Sequence, residues 1–381
     1  MNTLPTGLQV FGDNLYTMIT GKFNEGKASL DSLCNFAIMR LDRKLQFSSM
    51  KEIPELTEDQ KEELEKFWSP YVRHMDDRFH RLCTYRSGGK FYPEYIPEDF
   101  YFMHVDRFYN DRRESAYMDN KCYYAKFFPH TRQPVTIAMR VGHNWLDEHG
   151  RLITHEEVRR RIKAESEVVL KRAVFSEGGF GVHFISGEDI FTEFRRVLKT
   201  IPTDVIVQKP IKQHADMAAL NPSSVNTLRI MSWLDGSEVK ILCTAVRIGV
   251  GGDRVDNISH GGLFCGVRKD GSLTEEGYLS GGIPTDRHPE HGYLFRDMKI
   301  PSLDKAYELV IDAHPSISHF RIAGWDVAID EYGDPTLIEV NFSLCCVNDI
   351  QSVCGPLFGD DTKKMLNEVF RGKKPQFSVL V

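Results

Sequence analysis

Two carboxylates and one amide near the end of the sequence have the spacing of a metal site. A symmetric hairpin about a turn at residues 331–334 places Asp326 directly opposite Glu339, with Asn341 further along the same face. The same register makes the opposite face almost wholly apolar. Its cross-strand pairs are Trp325 with Val340, Val327 with Ile338, and Ile329 with Thr336. Because like charges opposite each other destabilise a sheet, the pattern predicts a compensating cation.

A lysine, an arginine or a metal ion could supply that positive charge. The ligand set favours a hard divalent ion, since Mg²⁺ takes one or two carboxylates together with substrate phosphates and the three side chains offer oxygen ligands. The sequence therefore predicts a Mg²⁺ site at Asp326, Glu339 and Asn341. The alternative is a solvent-facing acidic edge paired with a basic neighbour.

The elements that must hold this hairpin are predicted to be mixed helices and strands, an α+β fold. Helix starts are predicted at the capping box Thr57–Gln60, at Thr154 with Glu157, and at residues 186–189. Strands are predicted at residues 168–174 and 204–208, and a further hairpin joins 225–234 to 239–248 across Asp235-Gly236. The first hundred residues are predicted to be mainly helical, with one helix face formed by Leu30, Leu33, Ala37 and Leu41. The aromatic-rich stretch at 91–109 has no clean period.

Composition excludes several classes of protein. With 381 residues, 41% of them hydrophobic, the chain can fill the cores of two or three domains. A formal net charge of −6 argues against a nucleic-acid partner, and no apolar run reaches the roughly 18 residues of a membrane span. Eight cysteines without a secretion signal or a C-x-x-C pair predict reduced thiols, and neither disulfides nor zinc. We therefore expect a cytoplasmic protein.

The hairpin motif is part of a wider resemblance. Gly324–Ala328 and Leu337–Asn341 resemble the metal-binding signature of ATP-grasp enzymes. Four further segments are most similar to the sugar-transfer-associated ATP-grasp branch, a relative of glutamate ligases: Ser224–Ile230, Arg247–Gly249, Asp256-Asn257 and Gly261-Gly262. The resemblance covers about residues 115–350. It implies a nucleotide between two α+β subdomains, here residues 111–215 and 216–381, preceded by a mainly helical region at 1–110.

The resemblance also implies site residues. Those expected to bind the nucleotide are Lys121 (in Asp119-Asn120-Lys121), Lys171, Ser176, Gly178, Gly179, Gly181, Gln208, Lys209 and Ile211. Those expected to act in phosphoryl transfer are Arg229, Arg247 and Asn257. The metal ligands are again the two acids and the amide of the last hairpin.

Physical reasons support several of these assignments. Lys171 interrupts an apolar run, where its charge is costly without an anion. Glycines between a strand and a helix let backbone N–H groups close over phosphate oxygens, and the guanidinium forks of Arg229 and Arg247 suit phosphoryl oxygens or a carboxylate. Each assignment has an ordinary alternative. Lys121 could be an exposed lysine, and Lys171 could point outward from an edge strand. The glycine-rich segment could be an ordinary turn, and Arg229 and Arg247 could form surface ion pairs. His260 could transfer protons or be structural.

The resemblance implies an ATP-dependent ligase that uses ATP and Mg²⁺, or Mn²⁺. In such enzymes a substrate carboxylate attacks the γ-phosphate and an amine captures the acyl phosphate, so positioning and charge neutralisation matter more than a protein nucleophile. Small-molecule carboxylate and amine substrates are therefore expected, and the family name points to saccharide or sugar-nucleotide biosynthesis. A kinase that phosphorylates a hydroxyl and a non-catalytic nucleotide-binding scaffold are the alternatives. The aromatic residues before residue 110 could stack on a sugar, although core packing is favoured.

Overall fold

A computed structural model describes residues 53–174, 181–252, 254–256, 261–279, 282–342, 345 and 347–370, with the backbone alone at 112, 113 and 116. Several predictions lie outside these residues. They are the helix face of Leu30, Leu33, Ala37 and Leu41 and the site residues Ser176, Gly178, Gly179, Asn257 and His260.

The described part of the N-terminal region is helical, as predicted. It begins with α1 (Glu58–Trp68) and α2 (Arg78–Arg86). The predicted capping box is present: the Thr57 hydroxyl accepts from the Gln60 N–H at 3.2 Å, and the Gln60 side chain accepts from the Thr57 N–H at 3.0 Å. These reciprocal bonds satisfy two N–H groups that the helix itself cannot pair.

The aromatic stretch at 91–109 forms three short helical turns in succession: Glu98–Phe100, Tyr101–Val105 and Asp106–Tyr109. The middle turn is π-helical, which explains why the sequence shows no clean period there. Tyr95, Phe100 and Tyr101 are buried, so core packing is confirmed for these three aromatics. Helix α3 (Arg112–Met118) and turns at Lys121–Tyr123 and Tyr124–Phe127 lead into the first sheet.

The smaller of two antiparallel sheets has five strands in the order β2-β1-β5-β3-β4. The strands are β1 (Thr136–Val141), β2 (Asn144–Leu146), β3 (Glu167–Arg172), β4 (Val182–Ser186) and β5 (Val205–Gln208). Helices α4 (His155–Lys163) and α5 (Ile190–Leu198) pack on it and form one apolar core with it. Their first turns are capped by Thr154 and Asp189, which confirms both predicted helix starts.

The larger sheet has seven strands in the order β10-β9-β8-β7-β6-β11-β12. The strands are β6 (Thr227–Asp235), β7 (Glu238–Ile248), β8 (Leu263–Val267), β9 (Leu273–Leu279), β10 (Ile283–Thr285), β11 (Ile322–Ile329) and β12 (Pro335–Asn341). The helices around it are α6 (Ala215–Leu220), α7 (Leu303–Ala313), α8 (Val347–Cys354) and α9 (Thr362–Phe370), with short turns at Phe295–Asp297, His314–Ile317 and Gly359–Asp361. Both predicted hairpins are present, as β6–β7 and β11–β12.

The two faces of the larger sheet are covered differently. Helices α6 and α7 bury one face in a continuous apolar core. The N-terminal helices, together with α8 and α9, bury part of the other face in a second core. The rest of that second face carries the charged side chains discussed below. No helix in the described ranges is both long and apolar enough to cross a membrane.

The predicted register of the last hairpin is correct in one half and wrong in the other. Asp326 pairs with Glu339 and Trp325 with Val340, as predicted. Beyond Asp326 the register shifts, so that Val327 lies opposite Leu337 and Ile329 opposite Pro335. The predicted pairs of Val327 with Ile338 and of Ile329 with Thr336 are therefore wrong. The physical reason is a β-bulge: β12 has one more residue than a symmetric hairpin allows.

Candidate active site

Charged side chains form a row across neighbouring strands of the larger sheet. Glu339 on β12 lies opposite Asp326 on β11, which in turn lies opposite Arg229 on β6. Arg247 on β7 pairs with Thr227, which precedes Arg229 by two residues and so shares its face. The strand order produces this row, because residues paired across adjacent strands point to the same side of a sheet.

Asp326 is the centre of the row. It is buried, with Nε of Arg229 donating to its Oδ1 at 2.6 Å and Nη2 of Arg247 lying 2.7 Å from its Oδ2. Burial works to raise the pKa of Asp326, but the charges of Arg229 and Arg247 outweigh burial and hold that pKa below its usual range. Asp326 is therefore ionised at neutral pH and holds two guanidinium groups.

Arg247 is positioned by a second carboxylate through a hydroxyl. Its Nε donates to Oγ1 of Thr227 at 3.1 Å. The Thr227 hydroxyl and N–H both donate to Oδ2 of Asp256, at 2.5 and 2.9 Å. Burial raises the pKa of Asp256, although the nearby charge of Arg247 opposes this. The sequence signal for Thr227 and Asp256 was their place in the family-like segments, which did not reveal this role.

A lysine from beside the smaller sheet completes the cluster. Nζ of Lys121 donates to Oε1 of Glu339 at 2.7 Å, and the Lys121 N–H donates to the carbonyl of Ala173 at 2.9 Å. Tyr124 holds the strand beside Glu339, because its hydroxyl accepts from the Val340 N–H at 3.1 Å and donates to the Val340 carbonyl at 3.3 Å. The two sheets are thus joined at the predicted site. Tyr124 was not predicted, since nothing in its sequence context distinguishes it from a core aromatic.

The predicted metal ligands and the predicted phosphate-binding cations are paired with each other in this structure. Asp326 carries two arginines and Glu339 carries Lys121, so the basic neighbours of the alternative are present, but Asp326 is buried and does not face solvent. The same side chains fit a metal–triphosphate ligand, because a divalent ion would take the carboxylates and phosphate oxygens would take the cations. Asn341 is next to them, with its amide nitrogen 3.5 Å from Oδ2 of Asp326.

Lys171 lies on the interior strand β3, paired with β4 on one side and β5 on the other. The edge-strand alternative for Lys171 is therefore wrong. Burial lowers the pKa of Lys171 to about 8, with the charge of Lys121 adding to this effect and that of Glu339 opposing it. Lys171 is half-buried, and a partly desolvated ammonium group gains stability when an anion binds beside it.

Three residues that are predicted to contact the nucleotide lie at the end of β5 or just beyond it. Gln208 is buried as the last residue of the strand. The Lys209 N–H donates to the Val135 carbonyl at 2.9 Å, and its ammonium group pairs with Glu165 at 2.8 Å. Ile211 lies in the segment beyond the strand, and the nucleotide contacts of these three residues stay predictions.

Gly181 is the described member of the predicted glycine-rich loop. Its φ is +77°, a region that glycine enters without strain. A Cβ at this position would lie 2.6 Å from Cδ of Arg172. Both observations favour glycine at this end of the loop.

Asp119 is an unpredicted acid next to the cluster. Burial raises its pKa to about 7, with the charge of Lys121 lowering it and that of Glu339 raising it. A carboxyl group with such a pKa can exchange a proton near neutral pH. Its sequence signal was its place in the Asp119-Asn120-Lys121 segment, where the family resemblance points to the lysine.

The site and both sheets lie within a known family. Residues 103–358 match the family described as sugar-transfer associated ATP-grasp. The chain belongs to this family. The two sheets with their helices are its α+β ATP-grasp fold, as the resemblance implied. Helices α1 and α2 of this ATP-grasp protein precede the matched residues, so they are outside the part that the family defines.

Solved structures of similar fold include a biotin carboxylase domain, an amino-acid ligase and an ATP-grasp ligase. The biotin carboxylase domain of Hydrogenobacter thermophilus 2-oxoglutarate carboxylase is 15% identical, with 68% of this chain and 47% of that chain covered and a TM-score of 0.40. An L-amino acid ligase from Bacillus licheniformis is 12% identical. The match covers 68% of this chain and 51% of that chain, with a TM-score of 0.37. The ATP-grasp ligase PsnB is 13% identical. The match covers 70% of this chain and 63% of that chain, with a TM-score of 0.38. The match thus spans less than two thirds of each of those chains. No curated protein sequence matches this chain.

Proposed function

We propose that this ATP-grasp protein is an ATP- and Mg²⁺-dependent ligase that joins a small-molecule carboxylate to an amine. The observation that carries the proposal is the row of Glu339, Asp326, Arg229 and Arg247, which sets two carboxylates beside two guanidinium groups on one face of a sheet. Lys121 adds a further cation from beside the smaller sheet. Anionic phosphates and a divalent ion are the ligands that such a mixed cluster suits best.

The parts of the cluster have separate tasks in phosphoryl transfer. Asp326, Glu339 and Asn341 would hold the metal, which neutralises phosphate charge when bound. Arg229 and Arg247 orient the transferred phosphoryl group and the attacking carboxylate with fixed hydrogen-bond donors. Before a ligand binds, Asp326 holds both guanidinium groups in this part of the sheet, and they can pass to phosphate oxygens when a divalent ion takes the carboxylate.

Buried thiols near the cluster support direct transfer to the substrate. Cys122 and Cys345 are buried, and burial raises the pKa of each to about 12. Such thiols are protonated at neutral pH and are poor nucleophiles. These two thiols are therefore poor candidates for a protein nucleophile, which supports attack by the substrate carboxylate to form an acyl phosphate that an amine then captures.

An ADP-release screen tests the proposal. The protein with Mg·ATP is offered amino acids against carboxylated sugars and small acids, since the family description connects it with sugar transfer. A ligase needs both an acid and an amine and releases free phosphate. A stable phosphorylated product formed without an amine would identify a kinase instead. Calorimetry that shows no metal-dependent nucleotide binding would identify a scaffold.

Two variants link this activity to the proposed site. Asp326→Ala and Glu339→Ala should each abolish ADP release, whereas Asp312→Asn on the exposed side of α7 should leave it unchanged. Retained turnover in both alanine variants would overturn the assignment of the site.

A further inference from the structure

The loop that follows β7 carries an arginine that contacts the smaller sheet. Nη1 and Nη2 of Arg254 donate to Oε1 and Oε2 of Glu167, at 2.5 and 3.0 Å. The guanidinium carbon lies 3.8 Å from the centre of the Phe184 ring, in the range of a cation–π interaction. Glu167 is the first residue of β3, and Phe184 lies on β4. A side chain from a loop of the larger sheet is therefore held by two strands of the smaller sheet.

These contacts lie on the face of the smaller sheet that carries Lys171. Glu167 and Lys171 are four residues apart on β3, so they point to the same side of the sheet. Phe184 shares that side because it pairs with Val169, which lies between them. The opposite side is the one that α4 and α5 cover. Arg254 thus contacts the side that is predicted to meet the nucleotide.

The beginning of the same loop is fixed to the part of the chain that forms the larger sheet. The Gly249 N–H donates to Oδ1 of Asn226 at 3.3 Å, and the Gly249 carbonyl lies 3.1 Å from Nε2 of the buried His288. The Gly251 N–H donates to Oε1 of Glu290 at 3.0 Å. The loop therefore crosses to the smaller sheet from a backbone position that the larger sheet holds.

Two residues after Arg254, the loop reaches the charged row of the larger sheet. Oδ2 of Asp256 accepts from the Thr227 hydroxyl at 2.5 Å, and Oγ1 of Thr227 accepts from Nε of Arg247 at 3.1 Å. The contact of Arg254 with Glu167 is therefore connected to Arg247 through a short stretch of backbone and two hydrogen bonds.

The two sheets have separate apolar cores. The core under α4 and α5 contains residues of the smaller sheet and its helices, and neither core of the larger sheet includes a strand of the smaller one. Polar contacts such as those of Arg254 and Lys121 therefore help to fix the smaller sheet against the larger one. Interfaces that lack a large apolar area allow relative motion of the parts that they join.

We propose that Arg254 is a positioning residue for phosphoryl transfer: it fixes the loop after β7 on the smaller sheet and thereby sets the position of Arg247. This role rests on the proposed ligase function and adds a residue that lies outside the charged row. Because Arg247 is assigned to the transferred phosphoryl group, the fixed loop should favour a nucleotide with a γ-phosphate over ADP. Loss of the contact should weaken binding of the γ-phosphate more than binding of the rest of the nucleotide.

Binding of the nonhydrolysable analogue MgAMPPNP beside MgADP tests this role, because the two ligands differ by the γ-phosphoryl group. Calorimetry on the full-length wild-type protein should show tighter binding of MgAMPPNP. Arg254→Gln should reduce this preference roughly fivefold to tenfold, the size expected for an exposed ion pair together with a cation–π contact. Arg196→Gln is the matched control, since Arg196 forms an equivalent two-bond pair with Glu193 on the surface of α5 and should bind both ligands as wild type.

Two combined variants show whether Arg254 acts through the residues named above. Glu167→Arg and Arg254→Glu should each lose most of the preference, whereas the double variant, which restores an ion pair with its charges exchanged, should recover part of it. In Thr227→Val the hydroxyl between the loop and Arg247 is already missing. Adding Arg254→Gln to that variant should therefore have little further effect on the preference.

The possible results distinguish positioning from a purely structural role. A reduced preference in Arg254→Gln with partial recovery in the exchanged pair supports positioning, whatever the melting temperature. A lower melting temperature with an intact preference overturns it, because the contact then only stabilises the fold. Additive effects of Arg254→Gln and Thr227→Val overturn it as well, and so does a wild-type protein that binds both nucleotides equally. A wild-type protein that binds neither nucleotide would instead refute the proposed ligase function.

Discussion

Replacing Asp326 by asparagine should change both the stability of the protein and the metal dependence of nucleotide binding. The variant keeps the shape of the side chain but removes its charge. Asp326 is buried and has Arg229 and Arg247 at 2.6 and 2.7 Å. Removing one partner of a buried ion pair costs about 3–5 kcal/mol, because an uncompensated charge stays buried. We expect the free energy of unfolding to fall by about 3 kcal/mol, since the amide oxygen still accepts a hydrogen bond.

The same change should let ADP bind without metal. In the wild-type protein, Asp326 occupies both guanidinium groups, so metal-free ADP must compete with a carboxylate for them. In Asp326→Asn the arginines lack that partner, and phosphate oxygens can pair with them. If ADP recovers about 3 kcal/mol in this way, its metal-free affinity rises about 100-fold. Added Mg²⁺ should then strengthen binding far less than it does in the wild-type protein.

Calorimetric titration of ADP, in Mg²⁺ and in EDTA, measures this reversal directly. Urea unfolding of the same samples gives the change in stability, and Asp312→Asn is the matched control for the loss of one exposed aspartate. A variant that binds metal-free ADP no better than wild type and keeps the wild-type response to Mg²⁺ would refute the exchange of ion pairs. It would also remove Asp326 from the metal site.

Three further predictions concern single side chains. The pKa of Lys171 is lowered to about 8, so its charge is present below that pH and lost above it. MgADP affinity, measured by calorimetry, should therefore fall between about pH 7 and pH 9. In Lys171→Met, MgADP affinity should depend less on pH. Burial lowers the pKa of His314 from 6.5 to about 4, so the folded state keeps its imidazole neutral. The free energy of unfolding should therefore have its full value above pH 6.5 and fall by roughly 3 kcal/mol as the pH drops towards 4. In His314→Gln this fall with pH should be smaller. Thr227→Val removes the link between Arg247 and Asp256 and should reduce ADP release roughly tenfold while Thr227→Ser restores it; equal turnover in the valine variant would show that the link is unimportant.

The sequence could predict the opposed acids of the last hairpin because strand pairing has a simple period. Side chains alternate between faces, so a central turn and one apolar face were enough to set Asp326 opposite Glu339. The bulge that follows was not predictable in the same way. One extra residue in β12 leaves the apolar composition of both strands almost unchanged, so a symmetric register and the shifted register fit the sequence equally well.

Contacts between distant segments were beyond reach for a different reason. The pairing of Arg229 with Asp326 depends on β6 lying next to β11, and the segments between them give no local signal of that strand order. The resemblance placed both residues in one site without showing that they bind each other. The N-terminal aromatics were equally obscure, because three short turns of different pitch erase the helical period that a sequence pattern needs.

One face of the larger sheet is divided between a covered part and a charged part. On this face, Met231, Trp233 and Tyr278 are buried under the N-terminal helices and α8, whereas Asp326 and Glu339 belong to the charged row. The charged part is supplied by residues inside the family match, whereas the cover comes both from residues before it and from α8, which lies inside it. A change in the N-terminal helices can therefore alter this cover, while the groups that we assign to phosphate and metal keep their positions on the strands.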